Sequence, residues 1–129
     1  MTRVYVDAEA AAIEGAGEPS LDPAALRSLQ FLAEAGHEVI LVAAPGLRVA
    51  EELREAAADV VSEVPIRPSA TSWYLTAEVE RCQGTSARLH TVLIGAAPPA
   101  GSIHRCDGVA RDLKAAALEL LATEAMPPV

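Results

Sequence analysis

The run Val39-Ile40-Leu41-Val42-Ala43-Ala44, entered from Glu38, constrains this chain more than any other stretch. It is too short for a helix of ordinary length and rich in β-branched residues, and it has no polar alternation. Such a run fits a strand covered on both faces, as in a parallel sheet flanked by helices. The sequence before it agrees. Asp22-Pro23 is a helix start, with an acid able to accept from free backbone amides and a proline suited to the first helical position. Leu26, Leu29, Leu32 and Ala33 share one helical face, and Gly36 supplies the stop.

The same alternation continues along the chain. Arg3-Val4-Tyr5-Val6-Asp7 predicts a first strand that ends in a carboxylate, followed from Ala10 to Pro19 by a loop with at most one helical turn. Val49, Leu53, Ala56 and Ala57 trace a second helical face up to about Ala58, and Asp59 to Val64 is a short strand stopped by Pro65. Ser72 to Leu75 forms another, with Thr76 capping a brief helix that carries Glu78 and Glu80 and ends at Gly84. Thr91-Val92-Leu93-Ile94-Gly95 is the next buried strand, and Pro98-Pro99 marks a loop. A short strand from Ile103 to Cys106 leads into a final helix from about Gly108 to Thr123. Strands alternating with helices at these lengths predict an α/β three-layer sandwich with a parallel, Rossmann-like sheet, a single domain over residues 1–129. Ligands of such sheets bind at the carboxyl ends of the strands, which gathers Asp7, Ala43-Ala44 and Gly95-Ala96 around one crevice.

Charge and composition narrow the partners. A formal charge of -8 argues against nucleic acid, and no apolar run approaches the ~20 residues that span a bilayer, so neither nucleic acid nor membrane is expected. No secretory signal is visible, which makes the cytoplasm the expected location and reduced thiols the expected state of Cys82 and Cys106. Trp73-Tyr74 reads as a pair packed beneath a helix; exposed, it would point to a homodimer. His37, His90 and His104 have no triad-like partner and receive no catalytic role.

In element order and strand ends the chain resembles the haloacid dehalogenase-like superfamily. Its phosphatases open with an apolar run, Asp, any residue, Asp; here Val4-Tyr5-Val6-Asp7-Ala8-Glu9 stands at that place. The resemblance implies that Asp7 is the nucleophile and a magnesium ligand, that Glu9 is the general acid and base, and that the ligand is phosphorylated. It implies Arg67 as the phosphate-binding cation, since Lys114, the one lysine, lies in the wrong helix. Two family positions are changed. Ala43-Ala44 replaces the strand-end hydroxyl that holds the phosphoryl group, and Ala96, after the strand ending in Gly95, replaces a metal-binding acid. These losses favour a catalytically degenerate pseudo-phosphatase, a binding or assembly module. The alternative is a weak Mg2+-dependent phosphatase working through an aspartyl-phosphate on Asp7, with no lid domain because Glu9 to Ser20 is short. A receiver-like signalling domain also gathers strand-end acids, but it needs an aspartate after the third strand, and none stands out here.

Overall fold

The computed structural model of the chain describes residues 2–8, 12–13, 20–21, 23–43, 51–64, 71–82, 89–95 and 106–125. Within them lies a six-stranded, all-parallel sheet. Its strands in chain order are β1 (Arg3–Asp7), β4 (Glu38–Val42), β5 (Asp59–Val61), β6 (Ser72–Thr76), β7 (Leu89–Ile94) and β8 (Gly108–Ala110). Across the sheet the order is β5-β4-β1-β6-β7-β8. The two remaining strands, β2 (Ala12–Ile13) and β3 (Ser20–Leu21), pair antiparallel in a small ribbon where the sequence suggested a loop.

Three helices are described: α1 (Pro23–Glu34), α2 (Glu51–Ala56) and α3 (Leu113–Ala125). Strand alternation sends Val4, Val6, Val39, Leu41, Trp73, Leu75, Val92 and Ile94 to the face that meets them. There they join Leu29 and Leu32 of α1, Leu53 of α2 and Leu113, Ala116 and Leu120 of α3 in one interior. The opposite face carries Tyr5, Ile40, Val42, Tyr74 and Leu89. From β1 the chain builds outward through β4 to β5, then returns beside β1 and builds the other way through β6, β7 and β8. The reversal falls between β1 and β6, which makes the carboxyl ends of these two strands the switch point where such sheets take ligands.

Local chemistry explains several boundaries. Helix α1 ends in a Schellman motif: the Gly36 amide donates to the Ala33 carbonyl at 3.1 Å, and the His37 amide donates to Leu32 at 3.2 Å. Gly36 adopts φ +94°, a conformation open to glycine and costly for other residues. Helix α3 begins five residues later than expected from the sequence, because Asp112 accepts from the Ala115 amide at 2.7 Å and so caps the helix. Gly108-Val109-Ala110, expected inside that helix, instead pairs with Val92–Ile94 as the edge strand β8. Of the strand expected from Ile103 to Cys106, residues 103–105 lie outside the described residues and Cys106 is not in a strand.

Cys82 and Cys106, expected as thiols, form a disulfide with their Cα atoms 4.8 Å apart. Cellular compartment alone gives no spatial information, whereas the fold brings together Cys82, just after the Val79–Arg81 turn that follows β6, and Cys106, two residues before β8. Trp73 and Tyr74 are both buried, on opposite faces of β6, so their exposure gives no ground for a dimer. Trp73 lies against His90 and donates its indole N–H to Glu124 of α3 at 2.8 Å. Among the described residues no helix is long and apolar enough to cross a membrane.

Candidate functional site

Asp7 is the last residue of β1, at the switch point, and only 2% of its surface is exposed. A carboxylate in such a place is costly unless donors surround it. Here three side chains supply them. The Tyr74 hydroxyl donates to Oδ1 at 2.7 Å, and the Thr76 hydroxyl donates to Oδ2 at 2.5 Å. The Arg81 guanidinium reaches the same Oδ2 at 3.0 Å. Tyr74 and Thr76 are two residues apart on β6, so they face the same side of the sheet, and β6 is the strand next to β1. Arg81 comes from the 3-10 turn Val79–Arg81 that follows β6, where a longer helix was expected. Thr76 also accepts from the Glu78 amide at 3.2 Å, which starts that turn and aims the chain back toward Asp7.

Electrostatics follows from this packing. Burial is the largest influence on the Tyr74 hydroxyl, and together with the hydrogen bond to Asp7 and the charge of Asp7 it raises the pKa well above the ordinary tyrosine value. For Arg81 burial acts first and downward, but the charge of Asp7 and the contacts with Tyr74 and Glu78 outweigh it and hold the guanidinium above its ordinary value. Arg81 therefore stays a cation whatever the solvent pH in which the fold survives. Its Nε atom also meets Glu78 Oε2 at 2.9 Å, so one guanidinium lies between two carboxylates.

Of Asp7, Glu9 and Arg67, the site residues expected from sequence, Asp7 alone is among the described residues. Glu9 and Arg67 lie outside the described residues. Ala43 follows β4 beside the crevice and brings no hydroxyl, and the adjoining Ala44 is outside the described residues. Ala96, expected to stand in place of a metal-binding acid, lies outside the described residues, and β7, the strand that it follows, is not the neighbour of β1. Strand β7 is separated from β1 by β6, so a group facing Asp7 across one strand spacing comes from the end of β6 instead. The residues there are Thr76, Glu78 and Arg81. Sequence alternation within Ser72-Trp73-Tyr74-Leu75-Thr76 was the available signal for Tyr74 and Thr76; the strand order that makes it useful was not available from the sequence.

The described residues do not suit a hard divalent ion. Such an ion takes several oxygen ligands, typically carboxylates and waters, with open lone pairs. Both Asp7 oxygens already accept from donors, Glu78 is paired with a cation, and a guanidinium lies where positive charge is called for. Among the described residues no group of three or more His, Cys, Asp or Glu side chains is arranged to hold a metal.

The chain matches no family model, and no curated protein sequence matches it. Among solved structures it resembles the crystal structure of D,D-heptose 1,7-bisphosphate phosphatase from Burkholderia thailandensis, with a TM-score of 0.68 and 19% sequence identity. The likeness covers 95% of this chain and 99% of that one. At this identity it is a likeness of fold alone, that of an α/β domain with a parallel, Rossmann-like sheet.

Proposed function

We propose that this chain is a phosphatase-like domain whose crevice serves binding or assembly in place of phosphoryl transfer. The observation behind this reading is the state of the Asp7 carboxylate. A nucleophilic carboxylate attacks best through an oxygen that no strong donor holds and that lies in line with the reacting atom. Asp7 instead accepts from Tyr74 on one oxygen and from Thr76 and Arg81 on the other. The residue after β4, Ala43, adds no hydroxyl to orient a phosphoryl group. The structural neighbour is by name a phosphatase acting on a heptose bisphosphate. That likeness supports a phosphorylated small molecule as the ligand class for this crevice.

The test is turnover of p-nitrophenyl phosphate and of a sugar phosphate, with and without magnesium, by the wild-type chain and Asp7→Asn. The expected result is no phosphate release that depends on Asp7. Magnesium-dependent release lost in Asp7→Asn would replace this reading with the weak phosphatase, in which Glu9 is the acid and base and Arg67 holds the phosphate. The placement of Asp7 at the switch point favours that second reading. A cytoplasmic location remains part of the proposal, and thiol alkylation of the native protein from cells reads the redox state of Cys82 and Cys106 directly.

A further inference from the structure

We infer that Arg81 is a built-in counter-cation that occupies the place of a divalent ion between Asp7 and Glu78, which makes the crevice indifferent to magnesium. This inference rests on the proposed reading of the same crevice. Three observations carry it. First, the guanidinium touches both acids at once, through one terminal nitrogen to Asp7 Oδ2 at 3.0 Å and through Nε to Glu78 Oε2 at 2.9 Å. Two carboxylates converging on one positive group is the charge arrangement of a metal site with the metal replaced. Second, the hydroxyls of Tyr74 and Thr76 also donate to Asp7, one to each oxygen, and these neutral donors need no ion beside them. Third, the turn that presents Arg81 is fixed on both sides. Thr76 accepts the Glu78 amide at its start, and Cys82, next to Arg81, is tied to Cys106 at its end.

A guanidinium differs from a metal ion in one consequential respect. It neutralises charge and donates hydrogen bonds, but it cannot coordinate water or a phosphoryl oxygen as a Lewis acid. A crevice balanced in this way keeps its carboxylate in place without a diffusible cofactor, and its stability does not respond to the concentration of one.

The experiment is a titration of the full chain, disulfide intact, with magnesium chloride and with manganese chloride, each against sodium chloride of matched ionic strength. Thermal unfolding midpoint and calorimetric heat are the two readouts. The wild type is expected to show no shift beyond its salt control and no saturable heat. Arg81→Ala frees both carboxylates, so it is expected to unfold at lower temperature and to regain part of the loss as manganese is added. The double substitution Asp7→Asn with Arg81→Ala is expected to lose that response. Saturable magnesium binding by the wild type that disappears in Asp7→Asn overturns the inference, as does an Arg81→Ala protein that folds and ignores both metals. Should Arg81→Ala fail to fold, Arg81→Gln takes its place, and the wild-type titration decides on its own. Metal-free, Asp7-dependent turnover would defeat the proposed function while leaving this inference standing, so the two fail by different results.

Discussion

The hydrogen bond from Tyr74 to Asp7 is the contact whose removal is easiest to read, because phenylalanine keeps the ring and deletes one donor. Asp7 is buried, so Tyr74→Phe leaves Oδ1 without its partner, at a cost of about 1–3 kcal/mol in urea unfolding. The same pair carries a pH signature. The folded state raises the Tyr74 pKa above the ordinary value of about 10, so in alkali the unfolded chain loses this proton first. The Tyr74 contribution is therefore complete below about pH 10 and is lost as pH climbs from there toward the folded value. The gap in unfolding free energy between wild type and Tyr74→Phe, measured from about pH 8 to about pH 11, should be constant up to about pH 10 and begin to narrow above it. A gap that stays constant across that range would show that the hydroxyl is not what responds. At this scale the sequence exposed Asp7, because an acid closing an apolar strand is conspicuous. It concealed Arg81, whose link to Asp7 spans 74 positions and depends on the turn after β6.

Elements are held by devices of different legibility. The end of α1 was readable because a glycine after an apolar helical face has one common use, and Gly36 has it. No atom lies within 4 Å of a side chain placed there, so the penalty for Gly36→Ala comes from backbone conformation alone, about 1 kcal/mol by chemical denaturation. An equal penalty in a variant at exposed Ala35 would remove that explanation. The disulfide was not readable, since spacing in sequence says nothing of proximity across a sheet. It joins residues 24 apart, and closing a loop of that size restricts the unfolded chain enough to stabilise by about 3 kcal/mol. Cys82→Ser with Cys106→Ser should lose about that amount, and reductant should lower the wild-type urea midpoint while leaving the double variant unchanged. Reductant acting equally on both proteins would place its effect elsewhere. The late start of α3 had a signal, Asp112 just before Leu113, but the expected helix ran through it because a three-residue edge strand leaves almost no periodicity to detect.

For the molecule as a whole, class and element order were legible because apolar runs and helical faces alternate so regularly; the order of strands across the sheet was not. Nothing local in Ser72–Thr76 or Leu89–Ile94 says which lies beside β1, and that choice decides which residues share the crevice with Asp7. The arrangement makes a prediction about the distribution of stability. Strands β1 and β6 are flanked by partners on both sides, and Val4, Val6 and Leu75 are fully buried. The edge strands β5 and β8 pair on one side only, and Val60 and Val109 are exposed. Local opening needs to break fewer contacts at an edge, so amides there exchange through small fluctuations, while those at the centre wait for global unfolding. Native-state hydrogen exchange should therefore find Val6 and Leu75 among the slowest amides, and Val61 and Val109 at least about tenfold faster, a gap of about 1.4 kcal/mol in opening free energy. If Val109 instead exchanges as slowly as Leu75, β8 is covered by something beyond its pairing with β7. Adding reductant then separates the two sources of protection at that edge, because Cys106 lies two residues before Gly108. Faster exchange in β8 alone would assign the protection to the Cys82–Cys106 link, and unchanged exchange would assign it to the sheet.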